Sequence, residues 1–212
     1  MTTNGHVIST PPKDPAVISF HNINYFVGGN KTFLKCCSKS PIVPFCTSRQ
    51  EKQVLFNVSG SFTHGMNAIL GPSGCGKSTL LDVLADRKDP HGLSGTVLVH
   101  GIPRDSSYKY AVGYVVQEDI CSGTLTVREN LYFSISLRFP EKLSASEKDE
   151  RVNAVLEEVG LQGCANTRVG TEFHRGISGG EKKRTCIGME LVLSPKILFL
   201  DEPTTGKTLA VI

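Results

Sequence analysis

The run Gly71-Pro72-Ser73-Gly74-Cys75-Gly76-Lys77-Ser78 constrains this chain more than any other feature. It fits the phosphate-loop pattern GxxxxGK[ST]. An apolar stretch, Met66-Asn67-Ala68-Ile69-Leu70, runs straight into it and reads as a buried strand. A helical pattern follows from Ser78 to Arg87, with Leu80, Leu81, Leu84 and Ala85 available for a core face. Strand, glycine-rich turn and helix, in that order, are the context the motif needs. The glycines let backbone N–H groups approach a phosphate, and the helix N-terminus adds free donors and a favourable dipole. Lys77 is expected to reach the outer phosphates, and Ser78 to offer its hydroxyl to Mg²⁺. Thr79 is adjacent and supports the helix. Cys75 fills an unconstrained position in the loop.

A second element belongs to the same chemistry. Ile197-Leu198-Phe199-Leu200 is an apolar strand followed at once by Asp201-Glu202. A carboxylate at the end of a buried strand can hold Mg²⁺ through water, which is the role expected of Asp201. A neighbouring carboxylate can orient or deprotonate an attacking water, the role expected of Glu202. Alone this pair would be weak; with the phosphate loop it is specific.

Composition removes several other classes. The 23 basic and 20 acidic residues leave a net charge of +3, too balanced to argue for nucleic acid as a partner. The seven cysteines form no paired CxxC knuckle, so neither a zinc site nor a disulfide framework is supported. The N-terminus lacks the apolar core of a signal peptide. No stretch approaches the roughly eighteen apolar residues of a membrane span. Attachment to a membrane partner stays open.

The rest of the chain reads as alternating structure. Residues 1–15 are polar, contain three prolines and are expected to be a disordered leader. Residues 16–20 suggest a short strand, followed by HNINYFV. Residues 28–52 look like a long, exposed, mobile loop. Strand patterns recur at 54–62, within 92–101, at 113–116 and at 197–200. Helical patterns cover 127–138, 146–160 and 178–193. This predicts an α/β chain with a core sheet and helices packed outside.

The order of motifs narrows the class. Ile177-Ser178-Gly179-Gly180-Glu181-Lys182-Lys183-Arg184 stands upstream of Ile197–Pro203. It resembles the signature sequence of ABC ATPases, with Ile and Glu where most members have Leu and Gln. From about residue 17 to 206 the chain is similar to the G subfamily of ABC half-transporters. The stretches NAILGPSGCGKSTLLDVLADRKDPHGLSG, TLTVRENLYFS and GISGGEKKRTCIGMEL carry that closer likeness.

The resemblance implies a P-loop NTPase of the ABC type. Its core sheet would be mixed or parallel, with antiparallel strands at the N-terminal side and a helical signature subdomain at about 120–190. It implies binding and hydrolysis of ATP with Mg²⁺, driving export across a membrane. The implied partners are a transmembrane domain, normally on the same polypeptide, and a second nucleotide-binding domain in a head-to-tail homo- or heterodimer. The implied place is the cytoplasmic face of the plasma membrane. Ser178, Gly179, Gly180 and Glu181 would then face the γ-phosphate held by the other subunit. Gln117 would contact Mg²⁺ or the attacking water. Val27 would meet the adenine, with the adjacent Tyr25 and Phe26 equally suited to the core. Glu118 and Asp119 read as local surface charge.

The likeness breaks after Gly206. Residues 207–212 diverge, and neither the family's aspartate loop nor its switch histidine has a match; His174 precedes the signature and cannot take that role. Residues 16–206 are therefore expected to be a partial, C-terminally incomplete domain. The alternative function is an ATP-binding module with little or no turnover that interferes with full-length partners. On this reading the isolated 212-residue chain is marginal or aggregation-prone, and its sustained hydrolysis is very low. Light scattering and a thermal melt check the first point; a monodisperse sample with one cooperative transition contradicts it. Turnover equal to that of an intact homologous domain, and abolished by Lys77→Ala, contradicts the second.

Overall fold

The first strand explains how the N-terminal part is organised. Ile18, Phe20, Ile23 and Tyr25 are all buried, although their spacing is not a simple alternation. The break falls at Asn22, whose φ of 53° places it in the left-handed region. The pairing of β1 (Ile18–Val27) with its neighbours shifts there, so one extra residue is absorbed as a bulge. The face that is buried before Asn22 therefore stays buried after it. Asn24 secures the next irregularity: its Oδ1 accepts from Asn57 N at 2.8 Å and from Gln53 Nε2 at 3.1 Å.

A computed structural model describes residues 17–28, 51–139 and 143–203. The expected leader, nearly all of the 28–52 loop and the 207–212 tail lie outside the described residues. The chain divides after Ser106 into two units, residues 1–106 and 107–212.

In the first unit, β1 is central in an antiparallel sheet. Its neighbours are β2 (Lys52–Phe62) and β3 (Leu93–Val99), and a two-residue β4 (Ile102–Pro103) extends the edge in the order β2-β1-β3-β4. The Phe20 and Phe62 rings pack with centroids 5.6 Å apart. The helix α1 (Lys77–Leu84) buries Leu80, Val83 and Leu84. Arg104 Nη1 donates to the carbonyls of Val83 and Leu84 at the end of α1, adding to the backbone bond that Val83 O accepts from Asp86 N.

One strand expectation fails in this unit. Residues 66–70 form no strand and belong to neither sheet, and Met66 and Leu70 are 94% and 91% exposed. An apolar run becomes a buried strand only when neighbouring strands pair with its edges and a second layer covers it. Among the described residues nothing pairs with this segment. Apolar periodicity could not reveal that, because it records side chains and not partners.

The second unit is built on a parallel pair. β5 (Val112–Val115) follows the short helix α2 (Tyr108–Ala111), and pairs in register with β6 (Ile197–Leu200), from Val112 opposite Ile197 to Val115 opposite Leu200. Asp201 N donates to Val115 O at 2.9 Å and extends the ladder one step. Between these strands lie α3 (Val127–Arg138), α4 (Ala145–Glu158) and α5 (Gly179–Leu191). Leu131 and Ile135 of α3 meet Val152, Val155 and Leu156 of α4 in a core closed by Leu161, Val169 and Val192. The three helical expectations agree with these bounds to within two residues.

Each of the three helices begins in the same way. Thr126, Ser144 and Ser178 are N-caps, and Glu129, Glu147 and Glu181 complete a capping box in each case. Their hydrogen bonds hold all three carboxyl groups below the usual glutamate range: backbone bonds first for Glu129 and Glu181, the Ser144 side chain first for Glu147.

Two outcomes are expected. Leu131→Ala or Leu156→Ala, both fully buried, costs about 2–5 kcal/mol in a denaturant titration. The capping carboxylates have lowered folded-state pKa values. Their stabilisation is therefore full above the unfolded glutamate value of about 4.3, and is lost as pH falls through the lower folded values. Melts between neutral and acidic pH should show this loss, and replacing the three glutamates by alanine should flatten it.

Candidate functional site

The phosphate loop is shaped by two glycines in conformations that other residues rarely adopt. Gly74 has φ 79° and Gly76 φ 96°. A Cβ on Gly74 would point into open space, whereas one on Gly76 would press on Leu55 Cδ2 at 3.0 Å. Gly76 therefore also lets the start of α1 lie against β2. Cys75 N donates to Pro72 O at 3.4 Å across the turn, and the Cys75 side chain is exposed. Gly71, Pro72, Ser73 and Gly74 are exposed as well, and Ser78 and Thr79 lie half-buried in the first turn of the helix.

The helix behind the loop is prepared for an anion. Gly76 caps α1 without a side-chain acceptor, and the first turn contains no acidic residue. Among the described helices of eight residues or more, the other three all carry a glutamate there. The first N–H groups of α1 thus keep their positive field. Lys77 Nζ donates to the carbonyls of Gly71 at 3.0 Å and Pro72 at 2.9 Å, so its charge is held over the loop. These features fit a polyphosphate. In the same unit Val27 lies at the end of β1, 49% exposed, beside Phe26 at 37%; Tyr25 is buried in the core.

The second unit holds the remaining candidates. Asp201 is buried at the end of β6, and Glu202 follows with φ 46°, in the left-handed region. Gln117 leaves the end of β5, and its Nε2 donates to Glu202 Oε2 at 2.9 Å. The parallel register of β5 and β6 produces this meeting of residues 85 apart in sequence. Among the described residues no group of three or more His, Cys, Asp or Glu could cage a metal. Mg²⁺ seldom needs such a cage, since it keeps water and takes one or two protein oxygens beside the phosphates. Each unit offers a hard oxygen of the kind Mg²⁺ prefers, the Ser78 hydroxyl in the first and the Asp201 carboxylate in the second.

Ser178, Gly179 and Gly180 begin α5, and a Cβ on either glycine would meet nothing within 4 Å. Glu181 faces its own helix end. Its Oε2 accepts from Ser178 N and from Ser178 Oγ, both at 2.7 Å. The pattern Ser-x-x-Glu could have shown this from sequence.

Sequence reasoning missed one residue here and misread another. Lys183, within the signature run, is buried and donates to the carbonyls of Gln117 at 2.8 Å and Val116 at 3.4 Å. Asp119 is not simple surface charge, because its Oδ1 lies 2.7 Å from Lys183 Nζ. No local signal marks a lysine that packs against a distant strand end.

Comparison with known proteins agrees with these features. A model of the ABC transporter family matches residues 55–205. The chain is 56% identical over 191 residues to the broad substrate specificity ATP-binding cassette transporter ABCG2 of Sus scrofa, covering 90% of this chain and 28% of that protein. It is 52% identical over 204 residues to the Mus musculus protein of the same name, covering 96% and 29%. It is 42% identical over 200 residues to ABC transporter G family member 20 of Arabidopsis thaliana, covering 92% and 27%. The chain thus spans under a third of the length of these relatives. A family match that takes in the loop at Lys77, the helix start at Ser178 and the strand end at Glu202 leaves one conclusion: the chain belongs to the ABC transporter family.

Proposed function

We propose that this chain is the nucleotide-binding part of a G-type exporter, which binds ATP with Mg²⁺ and hydrolyses it to drive export. The observation that carries this reading is α1: it starts behind a glycine-rich loop, without a side-chain cap or an acid, while each other long described helix has its own capping glutamate. Lys77 and the first amides of α1 bind and orient the phosphates. Mg²⁺, when bound, would neutralise phosphate charge, and Ser78 of the first unit and Asp201 of the second are the residues we assign to hold it. Glu202 accepts the proton of the attacking water, and Gln117 orients that carboxylate through its amide. Ser178, Gly179 and Gly180 serve the γ-phosphate of a second nucleotide-binding domain, with Glu181 shaping the helix end. Val27 offers the adenine an apolar contact.

We assign residues 120–190 to the helical signature subdomain and 16–206 to the nucleotide-binding domain. The partners in this reading are a transmembrane domain and a second nucleotide-binding domain, with the chain on the cytoplasmic face of the plasma membrane. No described helix is long and apolar enough to cross a membrane itself.

The test separates binding from turnover. Lys77→Ala should weaken binding of a fluorescent ATP analogue about tenfold or more, because a charge-assisted contact to phosphate is lost. Glu202→Gln should leave that affinity nearly unchanged and lower phosphate release by the assembled exporter about 10²- to 10⁴-fold. Unaltered binding in Lys77→Ala, or unaltered turnover in Glu202→Gln, refutes the assignment of that residue.

A further inference from the structure

One buried cation joins the signature helix to the residue that meets Glu202. Lys183 lies in the second turn of α5, with its side chain only 9% exposed. Two of its contacts are the successive carbonyls of Val116 and Gln117, at the point where the chain leaves β5. The third is Asp119 Oδ1, 2.7 Å away. That oxygen is buried and makes no hydrogen bond of good geometry, so the nearby ammonium charge is its compensation. Cys186, three residues further along α5, belongs to a small apolar cluster against which Cys121 packs. The segment 116–121 is therefore held to one side of α5 at two places.

Packing alone does not call for a cation here. Burying an ammonium is costly, and an apolar side chain of similar size fills such a space without that cost. A hydrocarbon cannot hold two carbonyls in place. The Gln117 side chain is itself exposed, and only its backbone is anchored before it reaches Glu202 Oε2. We propose that Lys183 is a positioning residue: by fixing the Gln117 backbone it sets where the Gln117 amide meets Glu202, and so ties the geometry of the water-activating carboxylate to the helix that carries Ser178. This rests on the roles given above to Gln117 and Glu202. A displacement of about 1 Å at a reacting group can cost about 100-fold in rate, which is why an anchor of this kind matters.

The test reads Gln117 directly, by NMR on the assembled exporter labelled in its glutamine side chains and glutamate carboxyls. Lys183→Met is expected to speed solvent exchange of the Gln117 amide protons about tenfold or more and to move the Glu202 carboxyl resonance. Lys183→Arg keeps both signals near their wild-type values. Because Lys183→Met strands Asp119, the double variant Lys183→Met/Asp119→Asn carries the same comparison without a stranded carboxylate. The backbone amides of Val152 and Leu156, in the α3–α4 core, report on the fold and stay at wild-type rates. In the assembled exporter, Lys183→Met lowers kcat about tenfold or more while KM for ATP stays within about twofold. A Gln117 signal that stays wild-type in both Lys183→Met chains overturns the proposal. A change shared equally by Val152 and Leu156 also overturns it, since Lys183 would then serve the fold alone. Failure of the nucleotide reading shows separately, as a wild-type spectrum of residues 71–78 that ATP with Mg²⁺ does not alter.

Discussion

The parallel pairing of β5 with β6 is the constraint on which the second unit depends. Parallel strands end at the same edge of a sheet, so whatever follows each strand emerges side by side. Val115 lies opposite Leu200, and the next step of the ladder is made by Asp201 itself. Gln117 and Glu202 are thereby brought to 2.9 Å although 85 residues separate them. The long connection holds α3, α4 and α5, whose apolar faces close on one another around Leu131, Val155 and Leu156. α5 then returns the chain to the strand edge and places Lys183 against the backbone that leaves β5.

Helix termini divide the chain's anion chemistry. Three helices satisfy their first amides with a hydroxyl and a glutamate from their own sequence. A carboxylate in the first turn neutralises the positive end of the helix and occupies its donors. At α1 neither group is present, and Gly76 supplies the turn without supplying an acceptor. The start of α1 therefore differs from the other three in carrying no side-chain cap and no carboxylate, with Lys77 in their place. At α5 the same logic gives Ser178 a dual position: its hydroxyl both donates to Glu181 Oε2 and accepts from Glu181 N. The serine is ordered at the helix start before any ligand is considered.

Much of this was legible in the residues. The phosphate loop, the helix at 127–138, the strand at 197–200 and the acids after it are local patterns, and local patterns suffice where the chain's own period or turn chemistry decides the structure. The capping boxes were equally local, as Thr-x-x-Glu and Ser-x-x-Glu. Other features were not local. The bulge at Asn22 breaks the alternation that would have joined residues 18–27 into one strand. The exposure of Met66 and Leu70 contradicts an apolar run that resembles a core strand. Asp119 reads as solvated charge in the sequence, and its ion pair with Lys183 arises only in the fold.

By itself, then, the sequence determined the local elements: the glycine-rich turn ahead of a helix, the carboxylates that end a strand, and where the helices start. Those outcomes depend on neighbours a few residues apart. Tertiary structure decided which of these groups meet and which apolar segments are covered. Strand partners, the Gln117–Glu202 bond and the burial of Lys183 depend on residues tens of positions apart, whose contacts become favourable only once the intervening chain has been ordered.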